Sequence, residues 1–237
     1  MKVLITGGSR GIGAECVRRF AQEGHAVSFI YNNSDDRAGA LARETGATAV
    51  KADLADLQAL EMAIRVATAK MGGVDLLVNN AGVSLIKLLT DVSDAELAHV
   101  FNVNLVAATV AAREASRTMV SAHSGKIINI GSVWGRVGAS CETVYSASKA
   151  GLEGLTKALA KELGPSGITV NCVEPGVIDT EMNSELGEDD LKCLCDETPL
   201  CRIGRVEDVA NAVLWLASDK ADFITGQIIG VDGGFEL

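Results

Sequence analysis

The chain has 237 residues, 48% of them apolar, which is enough for a large buried core and too much for a disordered polymer. Twenty-one Lys and Arg stand against 31 Asp and Glu, and the net charge of −10 argues against a nucleic-acid backbone or an anionic membrane as partner. No apolar leader or Arg-rich transit segment follows Met1-Lys2, and no apolar run reaches the roughly 20 residues of a membrane span, so a cytoplasmic location is expected.

In chain order, short β-rich runs alternate with longer stretches of helical period, the pattern of βαβ units around a parallel sheet. Strands are predicted near 2–6, 26–31, 47–52, 74–78, 126–131, 168–173 and 227–231, and helices near 11–23, 35–45, 56–71, 94–121, 143–163 and 206–217. The chain has three prolines and no long linker. It therefore reads as one α/β domain, a doubly wound seven-stranded parallel sheet with helices on both faces. Only the stretch from about 180 to 205 breaks the alternation. It carries the acidic run Glu185-Leu186-Gly187-Glu188-Asp189-Asp190 and follows a strand's C-terminal end, so it is expected either as a substrate lid or as a solvated helix-loop. The cysteines (16, 141, 172, 193, 195 and 201) form no Cys-x-x-Cys pair. Free thiols are expected, and a zinc site through Cys193, Cys195 and Cys201 lacks an evident fourth ligand.

The first strand runs into Thr6-Gly7-Gly8-Ser9-Arg10-Gly11-Ile12-Gly13 and then into a helix. Glycines permit a tight turn and close backbone approach, and the free N–H groups at a helix start attract a pyrophosphate. Strand, Gly-rich turn and helix together are the dinucleotide-binding arrangement; a tight turn without a ligand is the plainer reading. An NAD site usually has a carboxylate about 20 residues further on, but the second strand ends in Ile30-Tyr31-Asn32-Asn33-Ser34. Arg10 supplies a cation and Ser9 a hydroxyl for a 2′-phosphate, so NADP(H) is favoured. Asp35 and Asp36 keep NAD open, and Arg10 also reads as a solvated surface residue.

Tyr145 and Lys149 are spaced i, i+4 in a helical stretch and share a face. Alone they read as a surface pair, but Ser132 lies at the end of the strand Ile127–Ile130, and Asn104 lies in Asn102-Val103-Asn104-Leu105.

These residues, with the Thr6–Gly13 turn, Asp53-Leu54, Asn79-Asn80-Ala81-Gly82 and Pro175-Gly176-Val177-Ile178-Asp179-Thr180, resemble the short-chain dehydrogenase/reductase family along essentially the whole chain. The resemblance implies a single Rossmann-fold domain and reduction of a ketone by a nicotinamide cofactor. It implies Tyr145 as proton donor, its phenol lowered by the Lys149 ammonium together with the positive charge of the oxidised nicotinamide, and Ser132 as donor to the carbonyl oxygen. Lys149 would also hold the nicotinamide ribose, and Asn104 an ordered water in a proton relay. Around the cofactor it implies Gly7, Ser9, Arg10, Gly11, Ile12, Gly13, Asn32, Asn80, Ala81 and Gly82, with Val177, Ile178 and Thr180 at the carboxamide. Asp53 would accept from the adenine amino group with Leu54 beside it, although Asp53 also reads as a helix N-cap. No metal is implied. Family members assemble as tetramers or dimers, and a homotetramer is expected, with the helices near 94–121 and 143–163 packing across subunits.

Within the family, Ser9–Gly13, Asn79–Gly82, Ile168–Asn171 and Ile224–Gln227 look like 3-oxoacyl-[acyl-carrier-protein] reductases of fatty acid biosynthesis, which implies a carrier-bound β-keto thioester. A reductase for an acidic carrier should present basic surface, whereas this chain is acidic and has Ser166 and His123 where those reductases often have bases. The stretch from Ser132 to Glu142 is similar to reductases of 5-aminopentanone-modified elongation factor P. Glu142 and Glu174 would then face an amine-bearing substrate; the plainer reading has Trp134 in the pocket floor and Glu142 solvated. A non-catalytic dinucleotide-binding scaffold or sensor is the alternative of another class.

Overall fold

Seven short runs rich in Val, Ile and Leu pair side by side because each is apolar on both faces and needs cover above and below. They are β1 (Lys2–Thr6), β2 (Ala26–Tyr31), β3 (Thr48–Lys51), β4 (Leu76–Asn79), β5 (Gly125–Ile130), β6 (Ile168–Pro175) and β7 (Ile228–Val231). All pairings are parallel, in the order β3-β2-β1-β4-β5-β6-β7, which is the doubly wound sheet anticipated from the alternation. The computed structural model describes residues 1–183 and 187–235.

Two apolar layers clothe the sheet. On one face α1 (Gly11–Gln22), α2 (Asp35–Thr45) and α9 (Val206–Ala217) bury Phe20, Leu41 and Val213 with Val3, Phe29 and Val78. On the other, α3 (Leu57–Met71), α5 (Ala107–Ala122) and α7 (Thr143–Leu163) bury Ile64, Met119 and Leu163 with Leu4, Leu77 and Ile127. Through the second layer runs a polar chain. Asn79 Nδ2 donates to Asn129 Oδ1 at 2.9 Å and to Ala108 O at 3.2 Å, and Asn129 Nδ2 donates to Thr156 Oγ1 at 2.8 Å. These bonds hold α5 and α7 in one register over β4 and β5, although Asn79 Oδ1 is buried without a partner.

Three local features differ from the sequence expectation. The helix predicted over 94–121 is α4 (Asp94–Phe101), a π-helical turn at Asn102–Val106, and α5, continuous but wider in the middle. Such a turn inserts one extra residue and re-aims the side chains on it, here Asn104, which a 3.6-residue period cannot reveal. This 29-residue stretch is apolar and long enough to cross a bilayer, but Ala107, Ala111, Ala115 and Met119 are buried on the sheet, so it is a core helix. A five-residue helix, α6 (Val133–Val137), follows β5. The irregular 180–205 stretch contains a 3₁₀ turn (Glu181–Asn183) and α8 (Glu188–Glu197), while Glu185 and Leu186 of its acidic run lie outside the described residues. Its two ends are tied together, Gly204 N donating to Val177 O at 2.8 Å and Asp179 N to Gly204 O at 2.9 Å.

The strand order reverses between β1 and β4, and there the two turns interlock. Thr6 Oγ1 accepts from Asn80 N at 3.1 Å and Ala81 N at 3.2 Å. Asn80 Nδ2 returns bonds to Thr6 O at 3.1 Å and Gly7 O at 3.0 Å. Only glycine fits at position 7: φ is +66°, and a Cβ there would lie 2.8 Å from Ala81 Cα. Thr6→Val keeps the shape but leaves two amides without an acceptor. It is expected to cost about 1–3 kcal/mol of unfolding free energy in urea titration.

Candidate active site

The crevice outside the C-terminal ends of the strands at this switch point is where open α/β sheets place ligands. Here it is a cavity of about 640 Å³ running from the Gly-rich turn and the end of β2 to the start of α7 and the loop after β6. Gly7, Ser9, Arg10, Gly11, Ile12, Asn32, Asp53, Leu54, Asn80, Ala81, Gly82, Ser132, Tyr145, Lys149, Val177, Ile178 and Thr180 all line it. Gly13 lies just behind: a Cβ there would come within 2.3 Å of Gly7 O, so its role is to let α1 pack against the turn. Asn104 is fully buried behind the wall.

At the end between β1 and β3, Asp53 is no helix cap. Its Oδ1 accepts from Ala55 N at 2.9 Å, while Asp56 caps α3 by accepting from Gln58 N and Ala59 N. Two nearby aspartates compete for that cap, and the one immediately before the helix wins. Asp35 is not among the lining residues and is engaged, accepting from Lys51 Nζ at 2.5 Å and Tyr31 Oη at 3.0 Å. Asn32, Asn33, Ser34, Ser9 and Arg10 are left as the lining beside β2. Sequence reasoning missed Arg37, on the first turn of α2. It pairs with Glu181, which also holds Arg10 at 3.5 Å. Asn80 lines the cavity, but its two amide bonds hold the turn.

The other end is built around α7. Lys149 lies there with 4% of its surface exposed, and its Nζ donates to Ile130 O at 2.8 Å. Tyr145, one turn earlier and also buried, has the Ser132 hydroxyl near enough to act on its phenol, and the lysine ammonium lies 5.7 Å from its ring centre. Ser132 is placed by being the cap of α6, accepting from Trp134 N at 3.2 Å. Asn104 is held on three sides: Oδ1 accepts from Val83 N at 2.8 Å, and Nδ2 donates to Val83 O at 2.9 Å and Ser148 Oγ at 3.0 Å. A Cβ on Gly82 would touch both Lys149 Nζ at 3.4 Å and Asn104 Oδ1 at 3.5 Å, so the two side chains converge over that glycine.

Burial dominates the electrostatics of the Tyr145–Lys149 pair. Burial raises the Tyr145 phenol to about 12; the Ser132 hydroxyl lowers it in part, and Glu142 raises it further. Burial draws Lys149 down to about 8. Loss of water thus sets the direction of both shifts. Glu142, at the N-terminal edge of α7, is half-buried in the lining, and burial raises its carboxyl. Glu174 does not face the cavity: it is 3% exposed on β6, behind the wall, which removes it from any contact with substrate. Trp134 lines the cavity and packs edge-on against Phe235 at 5.6 Å. His99, Ser84 and Ile86 also line it and were not anticipated, as does Met182 from the expected lid. His99 lies one turn before Val103 on the same helix face, a spacing that would have pointed to it.

Fit to a nicotinamide dinucleotide follows from these observations. The glycine turn accepts no Cβ at position 7, the helix start behind it is open to an anion, and a lysine and a tyrosine wait at the far end of one continuous cavity.

The chain matches the family model described as enoyl-(acyl carrier protein) reductase over residues 7–236. It is 40% identical over 239 residues to 3-oxoacyl-[acyl-carrier-protein] reductase FabG of Staphylococcus aureus, covering 99% of this chain and 97% of that protein. A short-chain dehydrogenase/reductase from Serratia marcescens superimposes with a TM-score of 0.92 at 42% identity, covering 99% and 97% of the two chains. A blue fluorescent protein from a metagenomic library, solved in complex with NADPH, superimposes with a TM-score of 0.93 at 40% identity, covering 100% and 98%. Sheet order, switch-point cavity and full-length similarity agree: the chain belongs to the short-chain dehydrogenase/reductase family of NAD(P)-using oxidoreductases.

Proposed function

We propose that the protein reduces a ketone to a secondary alcohol with NADPH, in the cytoplasm, as a single domain. The observation that carries this is the convergence of Ser132, Tyr145 and Lys149 at one end of a cavity whose other end is the Gly7–Gly13 turn. NADPH is preferred because Asp35 is engaged by Lys51 and Tyr31, while Arg10, with Arg37 beside it, offers positive charge to a 2′-phosphate in exchange for Glu181. An NADPH complex of a relative 40% identical supports the same choice.

The bound dinucleotide would supply a hydride to the carbonyl carbon. Ser132 orients the ketone by donating to its oxygen, with its own hydroxyl fixed by the cap of α6. Tyr145 gives the oxygen its proton. With a phenol raised to about 12 by burial, it is fully protonated at neutral pH, the form that reduction needs. Lys149 holds the ribose hydroxyls, and its charge stabilises the phenolate left behind; the phenol would regain its proton from solvent through a water held at Asn104 within reach of Lys149. Asp53 and Leu54 receive the adenine, the Asn80-Ala81-Gly82 turn packs against the adenosine ribose with Asn32 also at the cofactor, and Val177, Ile178 and Thr180 receive the carboxamide. The 180–205 stretch covers the substrate as a lid, since Met182 and Asn183 already line the cavity. Assembly into a homotetramer would pack the helices near 94–121 and 143–163 across subunits, where Leu97 and Val120 are exposed apolar residues.

Similarity to FabG supports a 3-oxoacyl group on an acyl carrier protein as substrate. One observation favours the second reading, the 5-aminopentanone group on elongation factor P: Glu142 places a carboxylate in the lining, and cations near the mouth are already paired, Lys87 with Glu96 at 3.0 Å and Arg136 with Asp232 at 3.1 Å. Turnover of acetoacetyl thioester against an ω-amino ketone, followed by NADPH absorbance, separates them. NADPH binding with no turnover of any ketone would support a scaffold instead.

Tyr145→Phe is expected to lower kcat about 10²–10⁴-fold with NADPH affinity unchanged; undiminished turnover would refute the assigned acid. Glu142→Gln is expected to raise KM for the amino ketone about tenfold and leave the thioester unaffected, as measured by steady-state kinetics.

A further inference from the structure

Behind the cavity wall lies a pair of acidic groups for which the proposed reaction has no use. Glu153 is one turn beyond Lys149 on α7, and Glu174 is on β6 next to Pro175, where the nicotinamide-side loop begins. Glu153 lies close enough to raise the Glu174 carboxyl, and Glu153 Oε1 and Glu174 Oε1 are both buried without a hydrogen-bond partner. Two carboxylate oxygens in contact are repulsive unless a proton lies between them, and one proton satisfies both. The pair also touches the turn that carries Ser132. A Cβ on Gly131 would lie 3.2 Å from Glu174 Cγ, and one on Gly135 would lie 3.2 Å from Glu153 Oε1.

We propose that Glu153 and Glu174 share one proton, and that this carboxyl–carboxylate hydrogen bond is a positioning device pinning α7, β6 and the Ser132 turn together. It deepens the reductase reading, on which its catalytic consequence rests. Neither residue touches substrate or cofactor. The pin sets the separation between Lys149, Ser132 and the Pro175–Thr180 loop.

The charged surroundings are mixed. From α7, Lys157 faces the pair, 3.6 Å from Glu153 Oε2, while the Lys149 ammonium is turned to Ile130 O. From α6 comes Arg136, which lowers Glu174, and beyond β7 Asp232, which raises it. Cys172 on β6 is a neutral thiol, raised by burial to about 12. Burial and Glu153 together raise Glu174 from 4.5 to about 7. The folded protein therefore holds this proton more tightly than the unfolded chain. Stability from the pair is fully present below about pH 4.5, declines as pH rises to about 7, and is level above.

Glu174→Gln supplies a permanent N–H to Glu153 and makes the pin independent of pH. Wild-type Tm is expected to fall on the order of 5 °C between about pH 5 and pH 8, and the variant to lose most of that slope. Infrared difference spectra of the wild type should show a protonated-carboxyl C=O band disappearing through the same range. Wild-type kcat for reduction should begin to fall near pH 7, whereas the variant should hold until about pH 8, where Lys149 gives up its proton. A variant that keeps both the wild-type Tm slope and the infrared band would overturn the shared proton. Loss of the slope with an unchanged kcat limb would overturn positioning. Glu153→Gln serves the same tests if the first variant fails to fold. The Tm and infrared arms do not depend on turnover, so failure of the reductase reading is visible separately.

Discussion

Lys149 is an ammonium almost cut off from water, and a charge in that position is tolerated only if a fixed acceptor receives it. The acceptor is the Ile130 carbonyl at the last residue of β5, 2.8 Å away, a group the sheet no longer uses. That single bond obliges α7 to cross the ends of β5 and β6 at one height. Tyr145, one turn earlier, then falls against Ser132, and Glu153, one turn later, falls against Glu174. Behind it the Asn79–Asn129–Thr156 chain holds the same helix to β4 and β5, so the lysine's position is over-determined. Burial takes the lysine towards about 8 and the phenol to about 12, which makes the site a proton donor at rest rather than a base.

An acidic molecule built around a site for an anionic dinucleotide must localise its positive charge. Arg10 and Arg37 do so at the β2 end, held meanwhile by Glu181 at the start of the 180–205 stretch. The helix start after Gly11 adds backbone dipoles without adding side-chain charge. Glu142 gives the far end the opposite character, and the two ends of one cavity are thereby suited to partners of different charge.

Much of this was legible in the chain. The sheet followed from apolar runs of strand length at regular spacing, and the Gly7–Gly13 turn from glycines between a strand and a helix. Tyr145, Lys149, Ser132 and Asn104 stood out as a set only through family resemblance, because one Tyr–Lys pair on a helix says little alone. What escaped reading depends on competition between neighbours or on contacts distant in sequence. Asp53 and Asp56 are equally good caps on paper, and only the helix's first residue decides between them. The π turn at Asn104 leaves no mark in a periodic pattern. Glu174 reads as a pocket charge until β6 is seen to turn it inward onto Glu153, 21 residues away.

The most direct test of the central arrangement is a crystal structure with NADPH bound. The account requires the nicotinamide ribose within hydrogen-bonding reach of Lys149, and Tyr145 Oη and Ser132 Oγ on the open face of the ring. A dinucleotide seated with its nicotinamide remote from residues 145 and 149 would contradict it.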